Sequence, residues 1–348
     1  MRYRFLLALM VAAFQIWTAG AQTDSADRLP ATVQLTGLKP TWQQYNRCSA
    51  AAFYMLSTYY DWPGSYSDMI NALNPHPDDV NVRLEEMVTW AEQQGLSGII
   101  RAGGTLALLK RLTAAGFPVL VETAYYEGAP VPKNWMSHNR VIIGYDEALS
   151  VVYAFDSLLG FGADGRGRPL GYAEFDQEWH HFNRNYLVLF RPGDSVLLQA
   201  LLGDDWDAVQ NAERTLVQAD LDLSHPDYAN SPFSYLNRSA ALLALGRIDE
   251  AVQAADTAQA LGLPWRSLWY RFELFEIYLQ AGRYEDVIML AQQVLATTPG
   301  AEEIYYYAGR AYEALGDPPK AEANYRAAVQ RNKFYTEAAD ALAALAGG

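Results

Sequence analysis

Gln43-Gln44-Tyr45-Asn46-Arg47-Cys48-Ser49-Ala50-Ala51 carries the one cysteine of a 348-residue chain and decides how its first half is read. Beyond it, Ala52, Leu56 and Tyr59 recur at helical spacing until Asp61-Trp62-Pro63-Gly64 stops the pattern, so a helix begins at or beside Cys48. A thiol at a helix start meets free backbone N–H groups and the positive end of the helix dipole, both of which favour the thiolate. That helps but does not suffice, because an unperturbed thiol is only about 3% ionised at neutral pH. A nucleophilic cysteine also needs a histidine as base and acid, an Asp or Asn to hold the imidazole, and donors for an oxyanion.

Moving outward, Asp78-Asp79-Val80-Asn81 supplies capping residues for a helix from about Leu84 to Gln94, closed by Gly95. Thr105 to Ala115 reads as a third helix, closed by Gly116. Strands follow at Phe117–Glu122, Arg140–Tyr145, Val151–Phe155 and Tyr186–Phe190, short and rich in β-branched and aromatic residues. Helices followed by a sheet predict an α+β domain. Of the five histidines, His138 opens the second of these strands, and the next strand delivers Asp156. Taken singly, each has a plainer reading: a buried small residue for Cys48, a sheet-edge histidine for His138, a turn residue for Asp156. Glu122 ends a strand, either solvated or facing the site. His76, in Pro75-His76-Pro77, reads as an exposed loop residue. His180 and His181 are adjacent, so on a regular element they point apart, and no third ligand stands at metal spacing; neither metal nor cofactor is expected.

The segment from Gln43 to Ala51 resembles the peptidase C39-like family, papain-like relatives of the proteases that trim double-glycine leader peptides. Trp135-Met136-Ser137-His138, then Gly144-Tyr145-Asp146, then Phe155-Asp156-Ser157-Leu158-Leu159-Gly160 continue the likeness to about residue 192. The resemblance implies Cys48 as nucleophile, His138 as general base and acid, and Asp156 as the residue orienting His138. It implies Gln43 as the oxyanion glutamine, with Gln44 next. The family usually carries Cys-Gly-Pro-Ala and Gly-His-Tyr where this chain has Cys48-Ser49-Ala50-Ala51 and Ser137-His138-Asn139.

From Ser195 the chain changes character. Leu245-Gly246-Arg247, Ala281-Gly282-Arg283 and Leu315-Gly316-Asp317 recur about 34 to 36 residues apart, the period of tetratricopeptide repeats. The resemblance implies helix pairs stacked into an all-α solenoid, each pair burying the apolar face its neighbour leaves open. Phe233, Leu236, Trp269, Phe272, Tyr306 and Arg310 then fall on the concave face, which either packs on the chain's own first domain or holds an apolar peptide. The expected organisation is a signal peptide over 1–21, a linker over 22–35 and a peptidase domain over 36–194. A bridging helix or half repeat follows over 195–231, then repeats with a C-terminal capping helix over 232–348.

The signal peptide is read from Met1-Arg2-Tyr3-Arg4, the apolar run Phe5 to Phe14 and Ala19-Gly20-Ala21, which predicts a secreted or cell-surface protein with no membrane span once the signal is cleaved. A net charge of −14 without a Lys/Arg cluster argues against nucleic-acid partners. The leading expectation is an exported cysteine peptidase acting on a peptide or protein substrate. A catalytically inactive scaffold that binds through its repeats and a transamidase built on the same triad are its rivals.

Overall fold

The structure, a computed structural model, describes residues 29–347 except 75 and 129. The expected signal peptide over 1–21 lies outside the described residues. The first part of the chain is built on a seven-stranded antiparallel sheet of order β2-β7-β3-β4-β5-β6, with β1 beside the end of β4. Its strands are β1 (Thr32–Gln34), β2 (Ser97–Arg101), β3 (Val119–Tyr126), β4 (Trp135–Asp146), β5 (Val151–Asp156), β6 (Arg168–Gly171) and β7 (Tyr186–Phe190). Alternation along the strands divides the core in two. Leu120, Val141, Ile143, Phe155, Leu187 and Leu189 pack under α1 (Cys48–Tyr59), α2 (Tyr66–Leu73) and α3 (Leu84–Gln93). Val119, Val121, Ile142, Val152, Ala154 and Val188 pack with α4 (Leu106–Ala114), α5 (Tyr172–His180) and α6 (Ser195–Leu202).

The stretch read as a linker over 22–35 is in part a strand. Thr32–Gln34 pairs with Gly144–Asp146, taking the edge of β4 that β3 leaves free beyond Ile142. Gly144 permits this: a Cβ there would fall 2.0 Å from the carbonyl oxygen of Val33, so any larger residue would push β1 away.

The remainder of the chain is mainly helical. After α7 (Ala208–Ser224) come α8 (Pro232–Ala244) against α9 (Ile248–Ala260), α10 (Glu273–Gln280) against α11 (Tyr284–Leu295), α12 (Glu302–Ala314) against α13 (Pro318–Arg331), and α14 (Thr336–Gly347). Gly246, Gly282 and Gly316 follow α8, α10 and α12 with φ of 69°, 73° and 74°, the left-handed conformation that ends a helix at little steric cost in glycine. Trp269 and Phe272 do not lie on a helix face as expected. Trp269 ends the 3-10 turn Trp265–Trp269, and Phe272 is the N-cap of α10.

The two parts share one core. Trp135 of β4 stacks on Phe182 and on Phe233 of α8, and Phe233 stacks on His181 with ring centroids 4.0 Å apart. Phe233 and Leu236, two of the residues expected on the concave face, are buried, and Phe233 follows the first of the two alternatives by packing on the sheet domain itself. Tyr306 packs among Tyr307, Tyr325 and Tyr335, and Arg310 is ion-paired with Glu276. These aromatic and ionic partners lie within the chain, which removes Tyr306 and Arg310 from a freely solvated surface.

Candidate active site

The site begins at the turn into α1. Asn46 adopts φ 53°, and Arg47, the N-cap residue, is buried. Its guanidinium donates to the backbone carbonyls of Asp79 (2.8 Å), His76 (3.0 Å) and Pro77 (3.3 Å), so one side chain fixes both the start of α1 and the 76–79 loop beside it. Cys48 opens the helix and is half-buried. Its own N–H belongs to the first turn, where no intrahelical acceptor exists. Ser49 places its hydroxyl 4.0 Å from the Cys48 sulfur, in position to donate to a thiolate.

His138 lies on β4, nearly fully buried, with Nε2 2.7 Å from Oδ1 of Asp156. The same imidazole interacts with the Cys48 thiol. Asp156 ends β5, where the backbone turns sharply. Its Oδ1 also accepts the N–H groups of Leu158 (2.9 Å) and Leu159 (2.7 Å), and its Oδ2 accepts Nε of Arg140 at 2.9 Å. Arg140 in turn donates to Thr123 and pairs with Glu178, so every charge in the buried chain from His138 to Glu178 has an opposite neighbour.

The electrostatics follow from this alternation. Burial pushes the Cys48 thiol up, but the hydrogen bond and charge of His138, with a backbone hydrogen bond from Asn139, outweigh it and leave the thiol lowered. Burial pushes His138 down, yet Asp156 and the thiol bring it up to about 9. Asp156, for which burial is opposed by His138 and Arg140, stays well below the usual carboxylate range. Near neutral pH this arrangement favours a thiolate–imidazolium pair, the form in which a cysteine is nucleophilic.

Gln43 is tied to Ser157, the residue after Asp156. Its backbone N–H donates to Ser157 at 3.0 Å and its side-chain oxygen accepts the Ser157 hydroxyl at 2.8 Å, which turns the amide so that Nε2 remains a donor. Gln44 is exposed beside it. Both line a cleft of about 850 Å³ whose other walls come from Tyr125 and Met136 of the sheet and from Trp269, Tyr270 and Thr297–Pro299 of the helical part. Trp269 thus faces the cleft, not a separate groove.

Glu122 does not join the site. It stands opposite Asn139, not His138, and its carboxylate accepts from Asn185 at the wall of a second cavity of about 440 Å³, which Phe272 also lines. Burial raises it to about 7. His180 and His181 serve packing: His180 stacks on Tyr228 at 4.3 Å, while Nδ1 of His181 accepts the indole N–H of Trp135 at 2.8 Å. His76 is half-buried and accepts the Asp78 N–H through Nδ1 at 3.2 Å.

Residue-by-residue reading missed Arg140, Ser157 and Tyr270. Arg140 lies two positions after His138 on the same strand, and this period-2 placement, together with an arginine inside an apolar strand, is the signal that marks it. Tyr270 carried none: it comes from the helical part, and burial followed by the charge of Cys48 raises its phenol.

An antiparallel α+β domain that sets a half-buried cysteine by a buried histidine–carboxylate pair is the class this geometry defines. Residues 27–186 match the model of the Peptidase_C39 like family, which supports a C39-like peptidase domain over that span. A search of curated proteins gives no match. Among solved structures, a candidate C39-like peptidase from Bacillus anthracis aligns at 16% identity and a TM-score of 0.34, covering 46% of this chain and 98% of that one. A double glycine motif protease from an AMS/PCAT transporter, in complex with the leader peptide, aligns at 17% identity and a TM-score of 0.33, covering 45% and 93%. A MamA double mutant aligns at 21% identity and a TM-score of 0.35, covering 39% and 74%. No helix among the described residues is long and apolar enough to cross a membrane.

Proposed function

We propose that this chain is an exported cysteine peptidase that hydrolyses peptide bonds in the cleft between its sheet domain and its helical part. The observation that carries the reading is the order Cys48–His138–Asp156, with His138 hydrogen-bonded to Asp156, the thiol lowered and the imidazole raised. The Cys48 thiolate attacks the scissile carbonyl carbon. Its oxygen takes up the negative charge, held by the Cys48 N–H and Nε2 of Gln43. His138 gives its proton to the departing amine as the C–N bond breaks, leaving a thioester on Cys48. Water then attacks the thioester, His138 accepts a water proton, and the carboxylic product leaves as the thiol is regenerated.

The helical part is read as a tetratricopeptide array, supported by its glycine-closed helix pairs and the 34-to-36-residue period. In this reading it supplies the far wall of the cleft and helps to hold the peptide. Export rests on the charged, apolar and small-residue order of the first 21 residues.

The test is the rate of Cys48 alkylation by iodoacetamide from about pH 4 to 10, in the wild type and in His138→Ala. The expected result is fast alkylation persisting well below the ordinary thiol pKa of about 8.5, lost in His138→Ala. An ordinary thiol profile, the same in both proteins, would overturn the peptidase reading and leave a binding scaffold.

A further inference from the structure

We propose that Glu86 of α3 together with Glu302 and Glu303 of α12 binds one divalent cation of the hard, oxygen-seeking kind, Ca²⁺, and that this ion fastens the helical part onto the sheet domain. One carboxylate oxygen from each of the three residues can be chosen so that all lie within 4.8 Å of one another. Ca²⁺ takes oxygen ligands in flexible geometry, which suits an all-carboxylate set, whereas Mg²⁺ demands near-ideal octahedral geometry and keeps several waters. The donor set contains neither sulfur nor imidazole, which disfavours zinc.

Acidic residues in the first turn of a helix ordinarily serve the helix dipole from the surface. These two do not: Glu302 and Glu303 are each 1% exposed, beneath α3. Among the described residues, Oε2 of Glu302 and both carboxylate oxygens of Glu303 have no hydrogen-bond partner. The remaining oxygens are held in place, since Nδ2 of Asn332 donates to Oε1 of Glu86 at 2.8 Å and to Oε1 of Glu302 at 2.9 Å. An amide bridging two carboxylates fixes their spacing without neutralising either.

The charge is equally lopsided. Asp79, also 1% exposed, lies close enough to add its repulsion, although Asn74 and Asn81 satisfy its oxygens. Against these four carboxyls stands Arg83, whose guanidinium is shared between Glu86 (3.5 Å) and Glu337 (3.1 Å) and lies over the ring of Tyr335. Buried like charges at this density need a counterion or protons. One oxygen from each of Glu86, Glu302 and Glu303 within 4.8 Å of the others, beside oxygens of Glu302 and Glu303 left without donors among the described residues, favours the ion.

Its place gives the ion a structural task. The 297–301 loop leads directly into α12, and a Cβ on Gly300 would fall 2.2 Å from the carbonyl oxygen of Asp78, so this loop lies flush against the sheet domain. Thr297–Pro299 and Asp78 are facing walls of the cleft beside Gln43. An ion between α3 and α12 would set the distance between those walls. The site stands whether or not Cys48 is catalytic.

The full chain, stripped with EDTA, is titrated with CaCl₂, MgCl₂ and MnCl₂ by calorimetry, and its Tm is read in EDTA and in each salt, alongside Glu303→Gln and Glu302→Gln. The expected result is one Ca²⁺ per chain, a Tm a few degrees higher in Ca²⁺, and at least tenfold weaker binding in either variant. In EDTA, Glu303→Gln should be no less stable than the wild type, because it removes repulsion and breaks no hydrogen bond. A wild-type Tm that is the same in EDTA and in every salt would overturn the site and leave the carboxyls sharing protons. Ca²⁺ binding that neither variant weakens would assign the ion to the acidic surface, and tighter binding of Mg²⁺ or Mn²⁺ would overturn the choice of Ca²⁺. Should a variant fail to fold, the wild-type comparison of EDTA with Ca²⁺ decides.

Discussion

His138 and His180 are buried alike, 2% and 1% exposed, and each stands beside an aspartate that also holds an arginine, yet burial and neighbours drive them in opposite directions. At His138 the two partners of the aspartate are kept apart: Oδ1 of Asp156 takes the imidazole at 2.7 Å and Oδ2 takes Arg140, whose charge Glu178 offsets. At His180 they coincide. Oδ2 of Asp222 is committed to Arg184 at 2.7 Å, and the imidazole lies 3.5 Å from that same oxygen. Burial then dominates, reinforced by the charges of Arg184 and His181, and His180 stays neutral between Tyr228 and Ser234. A buried histidine is thus made reactive or inert by how closely a carboxylate meets it and by which other charges stand beside it.

The largest expected effect tests this contrast directly. Replacing His138 by Ala removes base, acid and the partner of the thiolate at once, and peptide hydrolysis should fall roughly 10⁴-fold or more. His180→Gln should leave the rate essentially unchanged, although the residue is just as buried. Rates measured on a common peptide substrate check both, and equal losses in the two variants would break the distinction.

A smaller loss separates the nucleophile from the oxyanion donor. Gln43→Ala should lower kcat by about 10²–10³-fold, the usual cost of one such donor. It should leave alkylation by iodoacetamide unchanged, since that reaction builds no oxyanion. A parallel fall in alkylation would mean that Gln43 positions Cys48 instead.

Much of the contrast was legible in the sequence where it depends on neighbours along the chain. Helical spacing after Cys48, the β-branched strand behind His138 and the turn after Asp156 are local patterns, and the repeating glycines of the helical part are too. Contacts set by distant segments were not legible. Thr32–Gln34 reads as linker because its partner strand is more than 100 residues away and admits it only through Gly144. Trp269 and Phe272 fell off the expected helix face because Trp265–Trp269 forms a 3-10 turn ahead of a shortened α10. Asn332 and Glu86, 246 residues apart, meet in a carboxylate cluster that no spacing rule joins, which is why no metal was expected from residue spacing.

The smallest expected effect concerns His181, where the same logic appears as stability. Burial, followed by the charge of Arg271, lowers it to about 3, while in the unfolded chain it titrates near the ordinary value of about 6.5. Below pH 6.5 the unfolded chain therefore binds a proton that the folded one refuses, so the contribution is fully present above 6.5 and is lost as pH falls toward 3. Between pH 7 and 5 the loss from this one residue should be about 2 kcal/mol. Glu122, raised to about 7, acts in the opposite sense over the same range, so the wild-type profile alone is a difference of opposing terms. His181→Gln isolates the histidine, because its amide oxygen can still accept the indole N–H of Trp135. Urea unfolding at pH 7 and pH 5 should show the variant losing about 2 kcal/mol less than the wild type on acidification. Equal losses would mean that His181 already carries its proton in the folded state, and with it that burial at this seam does not outweigh hydration.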